Sequence, residues 1–123
     1  MFVDKCENLK GGKTSSTSLQ PKCKLKLEGG SSSEKFSTLP KPGTENPVFE
    51  EGFLISCNEP QKQRLIVEVI DTKGLDSTLG FVKIPIDNLM TSQNMEDIDK
   101  EFLLEGGHPD ARIYISSKLY TLQ

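Results

Sequence analysis

The chain has 123 residues, with 15 basic and 18 acidic side chains, a formal net charge of −3 and three cysteines. This length fits one domain over residues 1–123, which buries roughly two-thirds of the surface that the unfolded chain exposes. A nucleic-acid-binding protein is not expected, because affinity for a phosphate backbone comes from clustered Lys and Arg. A membrane-spanning helix is not expected either, since no apolar run approaches the roughly 20 residues that it needs.

Eight short strand-like segments follow one another along the chain, separated by Gly, Pro and Asn. Several of them alternate apolar and polar residues with a period of two, which is typical of strands with one buried face. The predicted segments are 2–4, 21–28, 34–39, 48–56, 63–71, 79–86, 100–105 and 111–120. This succession predicts an all-β fold, an eight-stranded antiparallel β-sandwich.

The sequence predicts one short helix, of one or two turns, near residues 87–95. Asp87 is expected at its N-cap, because a carboxylate there accepts a free backbone N–H at the start of a helix.

The three cysteines, Cys6, Cys23 and Cys57, are widely spaced and form neither a CxxC nor a CxxH arrangement. This pattern argues against a disulfide scaffold and against a zinc site, and it indicates a reducing compartment. Cys23 alternates with Leu25 and Leu27, so we expect it to be a small apolar residue of the core.

Catalysis is not expected of this chain. His108 is the only histidine and lies in a turn-like Gly107-His108-Pro109 stretch, without the GxSxG context of a serine nucleophile. Glycine-rich phosphate-binding loops of the GxxxxGKS or GxGxxG type are also missing from the sequence. We therefore predict a protein that is not an enzyme and has no catalytic residues.

Four motifs occur in an order that resembles the C2 domain family. They are 46-NPVFEEGF-53, 65-LIVEVID-71, 79-LGFVKIPI-86 and 101-EFLLEGG-107, and the resemblance covers nearly the whole chain. Each motif is weak alone, but their combined order and spacing are specific. The chain opens with a strand before the first loop and closes with a long strand, so the resemblance implies the type II C2 topology. It also implies a first strand that is short or trimmed at Met1.

Within this family, the chain resembles the second C2 domain of the extended synaptotagmins. The matching stretches are 8-NLKGGK-13, 47-PVFEEGF-53, 59-EPQKQRLIVEV-69, 78-TLGFVKIPIDNLMTS-92 and 109-PDARIYISSKL-119. Extended synaptotagmins are anchored in the endoplasmic reticulum, tether it to the plasma membrane through C2 domains and transfer lipids with a separate module. The resemblance thus implies one domain of such a protein, on the cytosolic side of endoplasmic reticulum–plasma membrane contacts and beside a neighbouring C2 domain.

The loops that hold calcium in this family are degenerate here. A calcium-binding C2 site takes about five Asp carboxylates from two loops, because the cation prefers many charged oxygen ligands. Gln20 stands where the family has an Asp before proline, and Lys73 and Ser77 replace two others. Asp71 matches the pattern, whereas Asp76 is one residue out of register. The resemblance therefore implies no metal and no cofactor, and Asp71 is expected to bond loop amides.

Lys22, Lys24 and Lys26 alternate with apolar residues, so their ammonium groups should project from one face of a strand. Lys35, on the next predicted strand, can join them. Many C2 domains bind anionic phospholipids, phosphoinositides especially, at a basic cluster on a sheet face, so these four lysines are a candidate lipid site. The same alternation would also be seen on the solvated face of an amphipathic strand, and this interpretation stays open.

The sequence thus predicts a calcium-independent C2 module of a membrane-tethering and lipid-transfer protein. The module would act as a spacer or as a weak unit that binds anionic phospholipid. An alternative is a protein–protein interaction C2 domain that binds neither lipid nor metal. Salt distinguishes the two, because screening weakens binding through lysines and barely affects an apolar interface.

Overall fold

Eight strands form two four-stranded antiparallel sheets in the computed structural model, which describes residues 1–9, 19–29, 34–73 and 76–120. The strands are β1 (Phe2–Glu7), β2 (Pro21–Glu28), β3 (Lys35–Ser37), β4 (Val48–Gly52), β5 (Arg64–Asp71), β6 (Ser77–Pro85), β7 (Glu96–Leu103) and β8 (Arg112–Lys118). Helix α1 (Ile86–Met90) and a 3₁₀ turn (Gln93–Met95) connect β6 to β7. The predicted β-sandwich with one short helix is confirmed.

The order of the strands in each sheet differs from their order along the chain. Sheet A has the order β4-β1-β8-β7, and sheet B has the order β3-β2-β5-β6. The last strand of the chain, β8, therefore lies between β1 and β7 in sheet A. This arrangement agrees with the type II topology that the resemblance implied.

The core lies between the two sheets and follows from the alternation of apolar residues along each strand. In β2 the residues alternate strictly between buried and more exposed, with Cys23 and Leu25 facing inward. The core cluster takes further residues from both sheets, including Val3, Val67, Val69, Ile113 and Ile115. Cys23 is a core residue, as predicted, and all three cysteines are free thiols. A hydrogen bond to the Cys23 thiol, together with burial, raises the pKa of Cys6, so this thiol stays neutral.

Strands β1 and β7 extend several residues beyond their predicted segments, and each contains an irregular pair register. In β1 the register shifts between Val3 and Lys5, so that Val3 and Cys6 both face the core although they are three residues apart. In β7 it shifts between Asp97 and Lys100, and Asp99 has a φ of 50°. A bulge interrupts the period of two, so the alternation stops before the strand does.

The expected cap at Asp87 is wrong. The helix begins at Ile86, and Pro85 is its N-cap, so Asp87 lies inside the first turn. A carboxylate in that position faces the positive end of the peptide dipoles instead of capping them. Among the described residues, no helix is both long and apolar enough to cross a bilayer.

Gln63 is a buried polar residue that ties three loops together where β5 begins. Its side-chain oxygen accepts hydrogen bonds from the Cys57 thiol at 2.9 Å and from the Glu59 N–H at 2.8 Å. The nitrogen of its side-chain amide donates to the Gly29 carbonyl at 3.1 Å. The backbone carbonyl of Gln63 accepts a hydrogen bond from the N–H of Ile86, the first residue of α1. Because Gln63 is only 1 % exposed, water cannot replace these partners without opening the loops.

Changing Gln63 to Leu should lower the free energy of unfolding by about 2–3 kcal/mol, because the Gly29 carbonyl and the Glu59 N–H lose their partner. Urea denaturation would measure the loss. The neighbouring Gln61 is exposed, so Gln61→Leu is the matched control and should change stability by less than about 0.5 kcal/mol. Equal losses in both variants would contradict the role of Gln63.

The outer face of sheet A carries a charge network around Tyr114. Its hydroxyl lies 3.0 Å from an oxygen of Glu7 and 3.1 Å from an oxygen of Glu101, and it donates its one proton to either carboxylate. Arg112 bonds the other oxygen of Glu101 at 2.6 Å, and the Lys5 ammonium lies 5.0 Å from the ring centre. The hydrogen bond to Glu7, followed by desolvation and the hydrogen bond and charge of Glu101, raises the pKa of Tyr114 to about 12.

Because the folded pKa of Tyr114 exceeds its ordinary value of 10, this phenol contributes stability below pH 10 that is lost as the pH rises towards about 12. Wild type should therefore lose stability faster than Tyr114→Phe over this range. Urea midpoints of both proteins at several alkaline pH values would measure this difference. The other groups that titrate at alkaline pH are the same in both proteins, so their effect cancels. Parallel pH profiles would contradict the assigned shift.

Candidate functional site

The four lysines predicted as a lipid site lie together on the outer face of sheet B. Lys24, Lys26 and Lys35 are exposed and Lys22 is half-buried, while the residues between the β2 lysines point into the core. In the ladder between β2 and β3, Lys26 is directly opposite Lys35. Residues directly opposite in an antiparallel pair project to the same side of the sheet. We call these four residues the lysine face.

The acidic neighbours of the lysine face form their hydrogen bonds and ion pairs with other residues. Six ion pairs occur among the residues that the structure describes, and none of them includes a lysine of this face. Glu28, the last residue of β2, pairs with Arg64. Glu68 is opposite Lys24 on β5, but its carboxylate accepts the Thr78 hydroxyl at 2.7 Å. Within the described ranges, adjacent lysines thus lack the kind of neutralising partner that Arg64 has.

Two isoleucines lie beneath this surface on the side away from the core. Ile66 and Ile70 alternate with the core residues of β5 and do not belong to the core cluster, yet they are only 8 % and 3 % exposed. They stand opposite Lys26 and Lys22 in the ladder between β2 and β5. The hydrocarbon stems of lysine side chains cover apolar neighbours while the ammonium groups remain in water. The stems of Lys22 and Lys26 are therefore expected to cover these two isoleucines.

Lys83 on β6 extends the row of lysines and was missed in the sequence. It stands opposite Ile66, so one row across the sheet reads Lys35, Lys26, Ile66 and Lys83. Its ammonium group lies 5.9 Å from the centre of the Phe81 ring. The alternation of 79-LGFVKIPI-86 indicates that Lys83 points outward. Its place in the same row as Lys26 depends on the strand order, which the alternation alone does not reveal.

The residues of the degenerate calcium loops meet at the end of sheet B where β5 finishes. One oxygen of Asp71 accepts the Gln20 N–H at 2.9 Å and the Lys73 N–H at 3.0 Å, so the hydrogen bonds expected of Asp71 are present. Ser77 is opposite Asp71 in the ladder between β5 and β6, and Asp76 is exposed just before that strand. Two backbone amides therefore occupy one of the two oxygens of Asp71.

This donor set fits a calcium ion poorly. Across residues 1–9, 19–29, 34–73 and 76–120, no three His, Cys, Asp or Glu side chains come close enough to hold a metal ion. Lys73, which stands where the resemblance implies a ligand, is exposed two residues after Asp71. A divalent cation needs several carboxylate oxygens and is repelled by a neighbouring ammonium group.

Comparison with known proteins places these features in a family. The C2 domain family matches residues 1–100. Human Extended synaptotagmin-2 is 29 % identical over 122 residues, which is 99 % of this chain and 13 % of the relative. Human Extended synaptotagmin-1 is 36 % identical over 73 residues, or 58 % of this chain and 6 % of the relative. The chain thus spans only a small part of the relatives that it matches.

Solved structures lead to the same family. A structure of Extended-Synaptotagmin 2 that contains its SMP domain and two C2 domains superimposes with a TM-score of 0.82 at 28 % identity, covering 94 % of this chain and 25 % of that one. A calcium-bound structure of two C2 domains of the same protein has a TM-score of 0.79 at 25 % identity, covering 94 % and 39 %. Strand order, motifs and these matches agree: the chain belongs to the C2 domain family, with relatives among the extended synaptotagmins.

Proposed function

We propose that this C2 domain binds anionic phospholipid surfaces without calcium, through the lysine face. The observation that carries the proposal is the group of four adjacent lysines without an acidic partner among the described residues. Like charges directly opposite in a sheet, such as Lys26 and Lys35, destabilise the pair in water. An anionic surface relieves this repulsion, so it is a favourable partner for this face.

The expected affinity is low and depends on salt. Each Lys near an anionic bilayer contributes about 1 kcal/mol, and the attraction falls off within a Debye length of about 10 Å at moderate ionic strength. Four such contacts give weak and reversible binding. Lys83 lies in the same row and adds to the positive potential.

Calcium is not part of the proposed mechanism. The calcium-bound relative is a different protein. In this chain Gln20, Lys73 and Ser77 stand where the resemblance to C2 domains implies calcium ligands. The remaining carboxylate, Asp71, uses one oxygen to order the Gln20 and Lys73 amides. The loop end therefore serves the fold, and the binding surface is the sheet face.

We further propose that the domain belongs to a longer tether between the endoplasmic reticulum and the plasma membrane, as its relatives suggest. A weak module linked to a neighbouring C2 domain raises the effective concentration of both at the membrane. The domain would act as a non-catalytic docking unit and spacer, and lipid transfer would reside elsewhere in the longer chain.

The proposal predicts that the domain co-sediments with vesicles of equal parts phosphatidylcholine and phosphatidylserine at low salt, equally in calcium and in chelator. Changing Lys24 and Lys26 to Glu together should weaken binding at least about tenfold, since two attractive charges become repulsive. Raising the salt should weaken the binding of wild type in the same way. A vesicle series that adds a phosphoinositide would show whether headgroup charge alone sets the affinity.

The matched control changes Lys100 and Lys118 to Glu, which alters net charge equally but on sheet A. This variant should keep most of the binding. Binding that needs calcium would contradict the proposal, as would equal losses in both variants. Absence of binding under every condition would favour the alternative of a protein–protein interaction domain.

A further inference from the structure

The positive charge of sheet B is concentrated on one side of its outer face. All four residues of the lysine face lie on β2 and β3, and β3 is the edge strand. The half formed by β5 and β6 carries Lys83 and Arg64, but it also carries Glu68, and Arg64 is paired with Glu28. Two carboxylates, Glu34 and Glu51, also lie at the β3 edge, but the four lysines outnumber them, so a negatively charged surface attracts this edge more strongly than the edge at β6.

Beside this edge, Leu54 projects into solvent. It is 83 % exposed, the highest value among the large apolar side chains that the structure describes. Its neighbour Phe53 packs on Phe36 of β3 with ring centres 5.8 Å apart, and the Ser56 N–H donates to Glu34 at 3.4 Å. Residues 53–56 therefore run along β3, and the exposed Leu54 lies in the chain between these two contacts.

A second apolar side chain, Leu39, lies further along the same edge. It is 67 % exposed and follows Thr38, which is bound to the backbone of Cys23 through its N–H and its hydroxyl oxygen, both at 2.9 Å. Cys23 lies between Lys22 and Lys24 in β2, so Leu39 stands beside the lysine face at the other end of the edge.

The carboxylates at this edge bond backbone amides. Glu51 accepts the Leu39 N–H at 2.8 Å, and Glu34 accepts the Ser56 N–H. Each of these acids thus orders the segment that carries an exposed leucine. These two hydrogen bonds tie the segments of both leucines to their neighbours, and both leucine side chains remain exposed to water.

We propose that the domain docks on the bilayer tilted towards its β3 edge, so that Leu54 and Leu39 enter the lipid interface while the lysine face contacts the headgroups. This inference rests on the proposed function, since the lysines supply the attraction that orients the domain. The leucines supply binding that salt does not screen, because burial of apolar surface does not depend on charge. The β3 edge therefore binds a lipid surface.

The experiment uses the absence of tryptophan from the sequence. In Leu54→Trp, and separately in Leu39→Trp, the new indole is the only one in the chain and reports its own surroundings. Ile98→Trp is the matched control, because Ile98 is 70 % exposed but lies on β7, in the other sheet. Each variant is mixed with the phosphatidylserine vesicles, with and without lipids brominated near the headgroup end of their acyl chains.

If the domain is tilted, the tryptophan emission of Leu54→Trp and of Leu39→Trp should shift to the blue on vesicles, and brominated lipid should quench most of it. The emission of Ile98→Trp should not change. Leu54→Ser, with the lysine face intact, should weaken vesicle binding about threefold to tenfold and make the remainder more sensitive to salt.

The result separates this inference from the function on which it rests. If the variants co-sediment with vesicles but the emission of Leu54→Trp does not change, the tilted docking is wrong and the lysine face stands. If wild type fails to bind the vesicles, both are wrong. A response of Ile98→Trp equal to that of Leu54→Trp would also overturn the tilted docking.

Discussion

The antiparallel ladder between β2 and β5 runs the whole length of both strands, from Pro21 opposite Asp71 to Glu28 opposite Arg64. Alternate residues of β2 face opposite sides of the sheet, so the pairing that buries Cys23 and Leu25 also directs the lysines outward. A slip of one residue would bury lysines and expose the core. The hydrophobic core therefore enforces the lysine face, and the same ladder brings Asp71 next to Gln20 at the loop end.

The outer faces of the two sheets differ in whether their charged side chains are paired. On sheet A, Tyr114, Glu101 and Arg112 satisfy one another at hydrogen-bond distance. On sheet B the lysine face forms no ion pair with any described residue, although Glu28 and Glu68 lie close enough in the ladder to have been partners. Charged groups that are already paired with one another attract a charged ligand only weakly. Adjacent lysines without acidic partners, in contrast, retain their attraction for an anion. This contrast is the physical basis for proposing that sheet B carries the lipid-binding surface.

The sequence predicted the fold class well because β2 alternates cleanly and β5 is rich in apolar β-branched residues, and the predicted bounds of both lie within one residue of the observed ones. It predicted β1 and β7 poorly, since bulges break the period of two that defines a strand in the sequence. The lysines of β2 were found from their spacing alone. Lys83, Leu39 and Leu54 were not, because their relation to the lysines depends on strand order and on contacts between distant segments.

Anionic lipid is proposed to bind the lysine face of sheet B and not the loop end near Asp71. Backbone amide NMR shifts, followed while a soluble short-chain phosphatidylserine is added in the presence of chelator, test it residue by residue. The account predicts that the largest changes occur at Lys24, Lys26 and Lys35, with little change when calcium is added. Changes centred on Asp71, Lys73 and Asp76 that appear only with calcium would contradict it.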